Sequence, residues 1–91
     1  MEMLIKMIIN NENLFLDQIK KTIEQPDYIT ELQAQVDIYF KKFENYYVEV
    51  QVEFSDPTEG SIICAEMVNI EDVDNEIIIA RTSKRIKYQK E

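Results

Sequence analysis

The chain has 91 residues, of which 45% are hydrophobic, and its formal net charge is −8. This length fits one domain with a thin core, and the apolar content is too high for an intrinsically disordered chain. Binding to phosphates needs basic side chains, so the charge argues against direct binding to nucleic acid or to an anionic membrane. We expect a single domain over residues 1–91, with a basic C-terminal tail at 81–91.

The first nine residues, MEMLIKMII, are compatible with two structures. The odd-numbered residues from 3 to 9 are apolar, as in a strand, whereas Met1, Leu4 and Ile8 would share one face of a helix. We favour an edge strand for this segment.

Two helices are predicted next. In residues 10–25, Phe15, Ile19 and Ile23 recur at helical spacing, and Pro26 ends the helix. Residues 26–45 fit a second helix with Asp27 as its N-cap. The apolar stripe of this second helix would consist of Ile29, Leu32, Val36, Tyr39, Phe40 and Phe43.

From Tyr46 onward the apolar period changes from 3.6 to 2, which predicts a half-buried strand with Glu49 and Glu53 on its outer face. Residues 55–60, SDPTEG, predict a turn in which Gly60 supplies any positive φ. We then expect a strand at 61–69, an acidic loop at 70–76 and a strand at 77–88. The predicted fold class is α+β: two helices packed on a three- or four-stranded antiparallel sheet, in the order (β)-α-α-β-β-β.

The predicted inner strands are apolar on both faces, since Ile62 and Cys64 point opposite to Ile63 and Ala65. Two helices can cover only one of these faces. The other would have to be covered by residues 1–9 or by a second copy of the chain, so we expect a homodimer.

The sequence lacks most of the residue types that catalysis and cofactor binding commonly use. The chain has no histidine, one glycine and one cysteine, which leaves no usual base, zinc site or phosphate-binding loop. Residues 72–83 resemble a calcium-binding loop only superficially, because Ile77 replaces the required glycine and Ser83 the required glutamate. We expect a non-enzymatic protein with no catalytic residue, no cofactor and no metal site.

The same features predict a cytoplasmic protein. No apolar run approaches the roughly 18 residues of a membrane span. Lys6 interrupts the apolar start, which also lacks the small-residue cleavage site of a signal peptide. Cys64 is alone, so an intrachain disulfide is excluded and nothing indicates an oxidising compartment. We therefore expect no membrane partner.

The charges are distributed unevenly along the chain. Residues 1–80 contain 17 acids and 5 bases, a net of −12, whereas residues 81–91 contain 5 bases and 1 acid, a net of +4. The 38 residues from 43 to 80, here called the base-free segment, contain 10 acids and no base. Solubility alone is one explanation for such a charge. However, carboxylates without local counter-charge repel one another, and the predicted helices do mix both signs.

The other explanation is that the base-free segment binds a basic partner. A strand rises about 3.3 Å per residue, close to the roughly 3.4 Å between phosphates along one DNA strand. Carboxylates on a strand and its turns could therefore replace phosphates in the DNA-binding site of a host protein, such as a restriction enzyme or a nucleoid protein. The residues predicted to form this surface are Glu49, Glu53, Asp56, Glu59, Glu66, Glu71, Asp72, Asp74 and Glu76.

Three features are the base-free stretch from Phe43 to Ala80, a composition rich in Ile, Lys, Asn and Glu, and the length of the chain. In these features the chain resembles the small acidic DNA-mimic proteins encoded by phages. In size and style it is similar to the anti-restriction nuclease inhibitors of T-even phages. DNA mimics share charge layout rather than sequence, so no residue is carried over by position. The resemblance implies a dimeric inhibitor of a basic DNA-binding protein, acting in the host cytoplasm. The alternative is an acidic adaptor or assembly subunit that binds another protein through an apolar sheet face.

Overall fold

The computed structural model describes residues 12–91, with side chains from residue 15 onward. Its elements in chain order are helix α1 (Glu12–Glu24), strands β1 (Tyr28–Gln33), β2 (Val36–Lys42), β3 (Tyr47–Asp56) and β4 (Glu59–Val68), helix α2 (Ile70–Thr82) and strand β5 (Ile86–Gln89). The strands form one five-stranded antiparallel sheet in the order β4-β3-β2-β1-β5. The prediction of an edge strand at residues 1–9 lies outside the described residues.

Helix α1 confirms the first predicted helix. Phe15 and Ile19 are buried against one face of the sheet. On the solvent side, Asp17 and Lys21 form an ion pair of 3.3 Å across one turn. The β3 residues that pack beneath α1 are Val48, Val50 and Val52.

The second predicted helix is wrong: residues 28–42 form the β1–β2 hairpin. Val36, Ile38 and Phe40 are buried at a spacing of two residues, as a strand requires. These residues are β-branched or aromatic, which favours strands. The turn at Ala34 and Gln35 contains no Gly, Pro or Asn, although Gln35 has a φ of 69°. Without a turn signal, the same apolar positions also fit a helical period.

The last predicted strand is also wrong, because residues 70–82 form helix α2 and only Ile86–Gln89 form a strand. Val73, Ile77 and Ala80 are the buried residues of α2, at helical spacing. Acidic residues in the first turn and Arg81 in the last turn suit the helix dipole. The predicted acidic loop at 70–76 is therefore the first half of this helix.

The two helices lie on opposite faces of the sheet, which corrects the predicted α-α order. The second core contains Val73 and Ile77 of α2 with Ile38, Phe40 and Tyr47 of the sheet. The described order is α-β-β-β-β-α-β, with five strands rather than three or four. Because α2 covers the second face, the packing argument for a homodimer no longer applies.

The β3–β4 hairpin confirms the predicted strand, turn and strand of this region. Gly60 has no positive φ, contrary to expectation. A Cβ at this position would lie 2.7 Å from Cγ1 of Val52, so the glycine permits close packing instead. Within residues 12–91, neither helix is long and apolar enough to cross a membrane.

Candidate functional site

A group of four carboxyl groups lies between the sheet and α2, here called the carboxylate cluster: Glu49, Glu66, Asp72 and Glu76. Glu49 of β3 and Glu66 of β4 are direct cross-strand partners and therefore share one face of the sheet. Asp72 and Glu76 are four residues apart on α2, which places them on one side of the helix. Strand register and helix periodicity thus bring together residues that are far apart in sequence.

Glu49 is the buried member of the carboxylate cluster, with 7% of its surface exposed. Burial, repulsion by Glu76 and a hydrogen bond to Glu66 together raise its pKa to about 7, and burial is the largest of these causes. In its protonated form, Glu49 donates that hydrogen bond to the Glu66 carboxylate. The sequence predicted an exposed Glu49, since it could not show that a helix covers this face. Glu49 cannot contact a partner directly.

The carboxylate cluster has one basic neighbour with a resolved effect. Burial raises the pKa of Glu76, Arg85 opposes that rise, and Asp72 and Glu66 add to it. Arg85 also donates a hydrogen bond of 3.1 Å to the backbone oxygen of Glu31. Sequence reasoning did not single out Arg85, because its position near α2 depends on the turn between α2 and β5.

Cys64 also lies beside the carboxylate cluster. Its thiol pKa is raised, mainly by burial and then by the negative charges of Glu66 and Glu49. A raised pKa keeps the thiol protonated and poorly nucleophilic. The surroundings of Cys64 therefore offer no activated nucleophile.

The tip of the β3–β4 hairpin holds a separate acidic pair. Asp56 and Glu59 are cross-strand partners there, and both are exposed. The Asp56 carboxylate accepts hydrogen bonds from the backbone N–H and the hydroxyl of Thr58, both at 2.7 Å, which lower its pKa. Glu53 is exposed on the face of β3 that carries Glu49, roughly 13 Å along the strand from it.

The remaining predicted residues, Glu71 and Asp74, are exposed on α2. The predicted acidic residues therefore do not form one row along a strand. They fall into the carboxylate cluster, the hairpin tip with Glu53, and the exposed positions of α2. Every predicted residue except Glu49 is exposed to solvent.

The basic tail binds elsewhere in the fold. Lys87 contacts Asp37 at 2.9 Å and Lys90 contacts Asp27 at 3.9 Å. Strand β5 pairs with β1, at the opposite edge of the sheet from β4. In residues 15–91, none of the ion pairs includes a carboxylate of the base-free segment. These two lysines of the tail therefore bind acids outside the base-free segment.

Across the described part of the chain, no group of three or more acidic, cysteine or histidine residues is arranged to hold a metal ion. A groove of about 590 Å³ is lined by residues such as Ile23, Tyr39 and Tyr88, none of which belongs to the carboxylate cluster. A carboxyl group with a raised pKa would need a substrate cleft beside it to act as an acid or base.

The chain matches no protein-family model, no curated protein and no solved structure. Its function therefore has to be argued from its own geometry and charge.

Proposed function

We propose that this protein is a binding protein whose acidic side occupies the basic, DNA-binding site of another protein. The acidic side consists of the exposed carboxylates of the β3–β4 hairpin and α2: Glu53, Asp56, Glu59, Glu66, Glu71, Asp72, Asp74 and Glu76. The observation that carries the proposal is that, in residues 15–91, no carboxylate of the base-free segment is in an ion pair.

The arrangement of the basic residues supports this proposal. The tail of an acidic protein can cancel its own surface charge, but here Lys87 pairs with Asp37 of β2 and Lys90 with Asp27 just before β1. Arg85 is the basic residue with a resolved influence on the carboxylate cluster. The acidic side thus keeps its charge for a partner whose Arg and Lys side chains already bind phosphates.

The proposal is still that of a DNA mimic, but the carboxylates that would replace phosphates are not arranged in a row along one strand as predicted. The strand-rise argument needed Glu49 and Glu53 on an open strand face, and Glu49 is buried beneath α2. The charges now come from a helix, a hairpin tip and one face of two strands. The alternative adaptor would need an open apolar sheet face, and α2 covers that face in the described fold.

The proposal is tested by displacement of duplex DNA. A labelled duplex is bound to a restriction enzyme or a nucleoid protein, and this protein is added while fluorescence anisotropy is followed. We expect release of the duplex at low salt and a steep loss of competition as salt rises. A panel of such proteins in which none releases its DNA would contradict the proposal.

A matched pair of variants locates the effect. Glu71→Gln with Asp74→Asn removes two exposed charges from α2, and Glu24→Gln with Glu31→Gln removes two exposed charges outside the base-free segment. We expect weaker competition from the first double variant only, by roughly three- to tenfold. An equal loss in both variants would indicate that net charge, rather than the acidic side, drives the competition.

A further inference from the structure

We propose that the outer edge of β4 binds an extended basic segment of the partner by adding it to the sheet as a further strand. This inference deepens the proposed function and rests on it, because it assumes a basic protein partner. It adds a specific docking mode, in which backbone hydrogen bonds provide affinity and alternate side chains provide selectivity.

The two edges of the described sheet differ in how they are protected. Proteins commonly protect an edge strand by making it short or by placing Lys or Pro on it. Strand β5 has four residues, including Lys87. Strand β4 has ten residues without Lys or Pro, and no strand within residues 12–91 pairs with its outer edge. The β4 edge is therefore the one suited to strand addition.

The side chains of β4 also present two different surfaces to an added strand. On the α1 face are Ile62, Ala65 and Met67, and 49% of the Met67 surface is exposed. On the α2 face is Glu66, beside the carboxylate cluster. A complementary segment would alternate apolar and basic residues, with its basic side chains next to Glu66.

Such a segment would supply a counter-charge beside Glu66 of the carboxylate cluster. Repulsion from Glu66 contributes to the raised pKa of Glu49. A Lys or Arg beside Glu66 would offset that repulsion and favour the ionised form of Glu49. Binding is therefore expected to release protons and to strengthen as the pH rises through the titration of Glu49.

A synthetic peptide of alternating lysine and valine, matched to the ten residues of β4, tests the inference by isothermal titration calorimetry with the full chain. We expect binding that weakens with salt and releases protons. Two control peptides carry methyl groups on every second backbone nitrogen, one in each register, which blocks pairing along one edge without changing charge. We expect the control whose blocked nitrogens face β4 to lose most of the affinity.

Variants of the protein add a second readout. Glu66→Gln should weaken peptide binding roughly two- to fivefold and reduce proton release, whereas Glu24→Gln on α1 should change neither. Both glutamates are exposed, so neither change should prevent folding. Equal binding by the lysine–valine peptide and both methylated controls would overturn strand addition while leaving charge-driven binding intact. If no peptide binds although the protein still displaces DNA, the edge inference fails and the proposed function stands.

Hydrogen exchange in the free protein tests whether the β4 edge is already paired, either with residues 1–9 of the same chain or with a second copy. We expect rapid exchange at the β4 amides that do not bond to β3, and slow exchange after the peptide is added. Slow exchange at every protein concentration would assign the edge to residues 1–9 of the same chain. Slow exchange only at high concentration would assign it to a second copy. Either result would overturn the inference.

Discussion

At the scale of single residues, Glu49 has the least ordinary environment in the fold. The residue is 7% exposed, faces Glu66 across the ladder and lies beneath an acidic helix. Its pKa of about 7 means that the folded protein holds a proton that an unfolded glutamate would release. Partial protonation of Glu49 near neutral pH therefore reduces the charge repulsion within the carboxylate cluster.

This proton predicts how stability depends on pH. The raised pKa of Glu49 gives a contribution that is fully present below the unfolded value and is lost as the pH rises through about 7. The variant Glu49→Gln keeps a hydrogen-bond donor but cannot ionise. We expect it to be more stable than the natural chain by on the order of 2 kcal/mol near pH 8, and to differ little near pH 4.5.

Urea unfolding followed by circular dichroism, at several pH values, measures this difference. The control is Glu53→Gln, which alters an exposed glutamate on the same face of the same strand. That variant should change the free energy of unfolding much less than Glu49→Gln near pH 8, because Glu53 is exposed to solvent. A difference for Glu49→Gln that does not vary with pH would show that ionisation of Glu49 is not the cause.

At the scale of the elements, α2 is the part of the fold that sequence reasoning misread. The run of Ile77, Ile78 and Ile79 looks like a strand buried on both faces. In the helix, Ile77 is buried while Ile78 and Ile79 are 58% and 57% exposed. Val73 and Ala80, which flank the three isoleucines, are buried together with Ile77, and this spacing of four and three residues is that of a helix.

Two alanine variants separate the helix from the predicted strand. In a strand, Ile77 and Ile79 would point the same way and their truncations would cost similar amounts. In α2, Ile77→Ala should lower the free energy of unfolding by about 2–4 kcal/mol, and Ile79→Ala should change it by less than about 1 kcal/mol. Chemical denaturation of both variants provides the measurement. Similar losses in the two would contradict the position of α2.

At the scale of the whole molecule, the ion pairs of residues 15–91 lie outside the base-free segment. Lys87 and Lys90 of the basic tail pair with Asp37 of β2 and with Asp27 just before β1, and within residues 15–91 no carboxylate of β3, β4 or α2 is in an ion pair. Repulsion within that acidic side opposes folding and is screened by salt. At low salt, the negative potential of these carboxylates would also attract a basic partner before contact.

Salt should therefore stabilise the fold. We expect the unfolding midpoint at about pH 8 to rise by a few degrees between about 50 mM and 500 mM NaCl. The variant Glu71→Gln with Asp74→Asn should show a smaller rise, and Glu24→Gln with Glu31→Gln should match the natural chain. Thermal melts of the three proteins give the comparison, and identical salt responses would locate the repulsion elsewhere.

Sequence reasoning predicted the elements whose local signals agree. Helix α1 combines helical spacing with Pro26 at its end, and the β3–β4 hairpin combines alternation with the Asp56–Pro57 turn. It failed for β1 and β2, where Ala34 and Gln35 give no turn signal, so a helical and a strand period both fitted. It failed again for α2, where the run of Ile77, Ile78 and Ile79 was interpreted as a strand although Val73, Ile77 and Ala80 recur at helical spacing.

The sequence by itself determined the one-signed charge of residues 43–80 and the absence of histidine chemistry, because these depend only on which residues are present. Only the tertiary structure decided which carboxylates meet, which one is buried and where the basic tail lies. Burial and cross-strand pairing join residues distant along the chain, and no local pattern records them. Glu49 and Glu66 are 17 positions apart in sequence but directly opposite in the sheet, and α2 then covers one and leaves the other exposed.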